Sequence, residues 1–155
     1  MFCQLDQVGQ VLDIANAVRD ALQEEFSETL NLYEYSRKAG SVAFGLLLLH
    51  DYDVFYKRGF ININDKQCEH YWVEVFFDGE ALILSAFVRE ESAPKKADFV
   101  LLPEDEAVSL YGLTGGRDVE WQQGDCEESV WRAVLNMLHI DKPLPEILDE
   151  IANLQ

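Results

Sequence analysis

Basic residues are scarce in this chain of 155: Lys and Arg total 12 against 29 Asp and Glu, for a formal net charge of −17. Gripping phosphates takes Lys and Arg, so the balance excludes a nucleic-acid interface and disfavours an anionic membrane surface. Cysteines are few as well: Cys3, Cys68 and Cys126. An odd set without Cys-x-x-Cys spacing builds neither a disulfide framework nor a zinc knuckle, and a cytoplasmic location is expected. His50, His70 and His139 share no metal-ligand spacing, and His50 beside Asp51 and Asp53 is a thin donor set. Neither a metal nor a cofactor is expected. The longest apolar run, Val42 to Leu49, is interrupted by Gly45 and is less than half of the ~20 residues a membrane span requires. The chain does not open on a basic stretch followed by an apolar one, so no secretory signal is read. Phosphate-loop, dinucleotide-binding and nucleophile-elbow motifs are missing, and the glycines between Gly112 and Arg117 read as a loop.

What is present is a core. Hydrophobic residues make up 48% of the chain, enough for one domain over residues 1–155. Leu5, Val8, Val11, Leu12, Ala15, Val18, Leu22 and Phe26 recur in steps of three and four, which predicts an amphipathic helix over 4–26. A second helix is expected from Tyr35 to His50, apolar nearly all round and therefore buried on most sides. Gly40 and Gly45 inside it each cost about 1 kcal/mol relative to alanine, which implies close approach of another element. The period then changes. Val54 to Asn62 reads as a strand with a bulge or bend at Gly59. Tyr71 to Phe77 and Ala81 to Val88 read as a hairpin around Asp78-Gly79. A polar linker follows over 89–97, then a short strand from Phe99 to Leu102, then surface loop from Pro103 to Gly124. Asp125-x-x-Glu128 reads as a capping box opening a helix with Val130, Trp131, Val134, Leu135 and Leu138 inward. Pro145 suits the first turn of a last helix carrying Ile147, Leu148, Ile151 and Leu154. The fold class expected is α+β, a buried helix packed on an antiparallel sheet, with added C-terminal helices over 125–155.

The order of buried helix, strand, histidine strand and hairpin partner resembles the core of transglutaminase-like, papain-like cysteine enzymes over residues 27–88. Their His-x-Trp-Val-Glu-Val motif is matched by His70-Tyr71-Trp72-Val73-Glu74-Val75. Their nucleophile segment, at the start of the buried helix, is matched by Ser36-Arg37-Lys38-Ala39-Gly40-Ser41-Val42-Ala43. Their acidic third member falls at Ile83-Leu84-Ser85-Ala86. Two departures stand out. Ser36 occupies the cysteine position, where a hydroxyl gains far less than a thiol from a helix N-terminus. Leu84 or Ser85 occupies the position of the carboxylate that would orient the imidazole.

The resemblance therefore implies the fold without the thiol chemistry, and a non-catalytic module that binds a protein or ligand. Two alternatives stay open. A divergent hydrolase or acyltransferase would use Ser36 with His70, or Cys68 as a displaced nucleophile two residues away on the same strand face. An acidic inhibitor or decoy would present the negative charge, densest after residue 100, to a basic partner. The duller roles are a helix cap for Ser36, a strand-end backbone contact for His70, an apolar filler for Cys68 and solubility for the charge. Glu74 is a solvated strand residue or orients a neighbour, and Trp72 is core or rim.

Overall fold

The computed structural model describes residues 2–26, 30–87 and 98–155. Helix α1, Phe2–Phe26, buries Val11, Ile14, Ala15, Val18, Ala21 and Leu22, the stripe its period of three and four dictates. Helix α2, Leu32–Leu49, begins three residues before the expected start because Asn31 caps it. The Asn31 side chain accepts from the Glu34 amide at 2.8 Å. Ser36 is thus inside the helix and is not its cap. From Tyr35 to Leu47 nearly every residue of α2 is buried. Its glycines mark close approaches: a Cβ on Gly45 would lie 2.8 Å from the Ile151 side chain and 3.0 Å from Trp131, and one on Gly40 would lie 2.9 Å from the Tyr56 ring.

Five antiparallel strands follow in the order β4-β3-β2-β1-β5. They are β1 Asp53–Ile63, β2 Lys66–Phe77, β3 Glu80–Phe87, β4 Asp98–Pro103 and β5 Thr114–Asp118. Asp78 and Gly79 both hold positive φ (50° and 83°), so the expected hairpin turn closes β2 onto β3. Asn64 and Asp65 do the same between β1 and β2, with φ of 51° and 64°. This second turn starts β2 at Lys66, so His70 lies inside the strand rather than at its beginning. The expected irregularity at Gly59 is present on one side only. Pairing of β1 with β2 runs unbroken, while pairing with β5 shifts register between Arg58 and Phe60. The linker expected over 89–97, and Val88 before it, lie outside the described residues.

Pro103 to Gly124 is more ordered than its glycines suggest. It holds helix α3, Glu104–Tyr111, then β5, then a 3-10 turn at Gln123–Asp125. Gly112, at φ 69°, ends α3 in the left-handed conformation that glycine adopts without cost. The capping box is also displaced. Asp125 closes the 3-10 turn by accepting from the Gln122 amide, while α4, Glu128–Met137, starts beyond Glu127. Helix α5, Leu144–Asn153, carries Pro145 in its first turn, as expected.

The sheet has two covered faces. Strand residues alternate sides, so Tyr71, Val73, Val75 and Phe77 join the large cluster formed with α1, α2, α4 and α5. Trp72, Ile61 and Ile83 turn the other way and pack with Ala107, Tyr111 and Leu113 of the α3 segment. Lys38 and Arg37 of α2 tie the first layer to the start of α4 through Glu127 and Asp125.

Candidate functional site

The strand period decides what His70 meets. Strand alternation gives it the same face as Trp72 and Cys68, and it is fully buried. The Ser85 hydroxyl on β3 lies 2.8 Å from His70 Nε2 and bonds the Tyr71 carbonyl, also at 2.8 Å. The ring also bonds the Ala86 backbone, so its tautomer sets which partner donates in the His70–Ser85 bond. Burial drives the His70 pKa down to about 3, against a smaller upward pull from the Ala86 backbone. The imidazole is therefore neutral, held by Ser85 and the Ala86 backbone. Ser85 is only 3% exposed, so a substrate carbonyl has no route to the hydroxyl. The pair ties β2 to β3 and is not arranged to move a proton to or from a ligand.

Ser36 lies on α2, against β2. Its hydroxyl donates to the Tyr33 carbonyl at 2.9 Å and accepts from the Tyr71 amide at 3.2 Å, which locks α2 onto β2. Both hydrogen-bond roles are spent on backbone. Ser36 and Ser85 thus meet β2 at the backbone of Tyr71, and the hydroxyl bonded to the His70 ring is that of Ser85. Cys68 packs at the rim of the α3-side cluster, with Sγ 3.8 Å from the Lys66 carbonyl. Cys126 is buried and its thiol is pushed up to about 12, mainly by burial and then by Glu127. Among the described residues, no group of His, Cys, Asp and Glu has the arrangement to hold a metal ion, and no helix is long and apolar enough to cross a membrane.

Concave surface lies around the N-terminus of α3. A groove of about 690 Å³ runs between the β2–β3 turn and α3, lined by Gly79, Glu80, Ala81, Pro103, Glu104, Asp105 and Val108. Glu80, Glu104 and Asp105 are exposed carboxylates, and Val108 is 45% exposed. Glu104 also lines a smaller cavity of about 120 Å³ with Trp72, Glu74, Leu113, Thr114, Gly115 and Gly116. The Glu74 pKa is raised, first by burial, then by the neighbouring Glu104 and Asp118, while Lys57 and the Trp72 N–H pull it down. Sequence reasoning left Glu74 with two readings and gave Glu104 and the β5 segment no role. The one available signal was a dense acidic run, Glu104-Asp105-Glu106, beside a glycine-rich stretch. Comparison with known proteins gives no family model, curated protein or solved structure that matches the chain.

Proposed function

We propose that this protein is a non-catalytic binding module that holds a basic, partly apolar segment of another protein against the α3 side of its sheet. The observation that carries the proposal is the groove. Three carboxylates line it with Ala81, Pro103 and Val108, and among the described residues no Lys or Arg does. Such a surface attracts cationic side chains and offers apolar area to the residues between them. The net charge of −17 adds long-range steering toward a basic partner. If the transglutaminase-like resemblance holds, the module keeps that fold without its chemistry; the groove argument does not need it.

Acyl transfer is the second reading, and one observation favours it: a hydroxyl 2.8 Å from an imidazole nitrogen. The burial of Ser85 and its bond to the Tyr71 carbonyl work against it.

Calorimetric titration with a capped heptapeptide of alternating arginine and valine tests the proposal. Binding is expected at 0.1 M salt, with at least a tenfold loss at 1 M as the screening length falls from ~10 to ~3 Å. Replacing Glu80, Glu104 and Asp105 together by their amides should cost a similar factor. Affinity indifferent to both changes would refute the groove as the binding surface. Serine-specific labelling of Ser85 by a fluorophosphonate would instead favour the hydrolase.

A further inference from the structure

We propose that the small cavity between Trp72, Glu74, Glu104 and β5 receives one arginine side chain of the partner, whose backbone lies as an added strand along the outer edge of β5. This rests on the binding-module reading and names its specificity pocket.

Several observations converge on the cavity. Its floor is Trp72, only 2% exposed, whose buried Nε1–H faces the Glu74 carboxylate. The Glu74 carboxylate is the nearby group that the indole N–H favours in its charged form. Glu74 itself is held partly buried with Glu104 and Asp118 raising its pKa, and Lys57, which lowers it, is engaged by Asp118 at 2.8 Å. A guanidinium between Glu74 and Glu104 would relieve that repulsion, hold Glu74 ionised and give the indole N–H a charged acceptor. Its planar fork suits two carboxylates better than an ammonium does. At about 120 Å³ the cavity is well below the ~300 Å³ at which small-molecule sites begin.

The backbone half of the proposal follows from the sheet. β5 is an edge strand, and all five of its residues are exposed. The opposite edge strand, β4, is packed by α1. Thr114, Gly115 and Gly116 of β5 form one wall of the cavity, so a strand added there would run past its mouth. Gly115 and Gly116 place no side chain in that path. A second copy of this chain is a poor occupant, since it would bring another net charge of −17.

The test is a ¹⁵N-correlated NMR titration of the full chain, following the assigned Trp72 indole resonance and the β5 amides. The titrants are capped heptapeptides alternating valine with arginine, lysine or glutamine. The arginine peptide should move the Trp72 indole and β5 amides together, and bind at least tenfold tighter than the lysine peptide. The Glu74→Gln/Glu104→Gln variant should bind the arginine peptide at least tenfold more weakly. Equal binding of the lysine peptide would overturn the arginine assignment. Binding that shifts groove resonances but leaves the Trp72 indole unmoved would overturn the pocket while the module reading stands. No binding by any peptide would remove both.

Discussion

His70 should make this protein acid-sensitive by an amount that can be worked out. Unfolded, its imidazole titrates near 6.5; folded, burial holds it down at about 3. Between those values the unfolded chain binds a proton that the native chain refuses. Stability from this source is thus intact above about 6.5, falls as pH drops below it, and stops falling near 3. The slope is about 1.4 kcal/mol per pH unit, so moving from pH 7.5 to 4.5 should remove roughly 2–3 kcal/mol. Glu74 and Asp125, whose pKa values are raised by burial, pull the opposite way as pH falls, so wild type alone does not isolate the effect. The His70→Gln variant does. Glutamine keeps an N–H donor for Ser85 but has no proton to take up. Urea melts of both proteins at pH 7.5 and 4.5 should show the stability gap between them shrinking by roughly 2–3 kcal/mol at the lower pH. A gap constant to within about 0.5 kcal/mol would mean that the native ring accepts protons as freely as the unfolded one. The claim that His70 is sealed would then fail.

Three further outcomes are expected. Leu47→Ala, at a fully buried position of α2, should cost about 2–5 kcal/mol in urea melts; a loss under about 1 kcal/mol would contradict its place in the core. Gly59→Ala should be severe, because its Cβ would lie 2.4 Å from the Thr114 carbonyl oxygen and 2.5 Å from the Trp72 ring. A cost of about 3 kcal/mol or more, or loss of the β5 amide signals, is anticipated, and a wild-type melt would refute that packing. Glu74→Gln should leave stability unchanged or raised at neutral pH, with the benefit growing as pH rises through the raised Glu74 pKa, since ionising that carboxylate opposes folding. A benefit that grew toward acid would reverse the sign of the argument.

The helices and the central hairpin were legible because their signals are local. Apolar spacing located α1, α4 and α5, and Asp78-Gly79 fixed the β2–β3 turn. The start of β2 was not legible in the same way. Asn64 and Asp65 turn the chain with positive φ, yet neither is glycine, and the polar residues after them look like a loop. That misplacement left His70 at a strand end, where the structure has it inside β2 and buried. α3 and β5 were hidden for another reason. Only Ala107 and Tyr111 of α3 are buried, and β5 buries none of its residues, so neither carries a strong periodic signal. The candidate site stands on these two elements. Its acidic residues were visible as charge, but their convergence with Glu80 and Glu74 depends on α3 crossing the sheet.

The central claim is that function lies in the acidic surface around α3 and not at His70. Mapping amide shifts on wild type as the arginine-valine peptide is added tests this most directly. The account predicts that they cluster at Glu80, Glu104, Asp105, Val108 and Thr114–Asp118, with Ser36, His70 and Ser85 undisturbed. Shifts centred on His70 and Ser85, or spread without focus over the acidic surface, would contradict it.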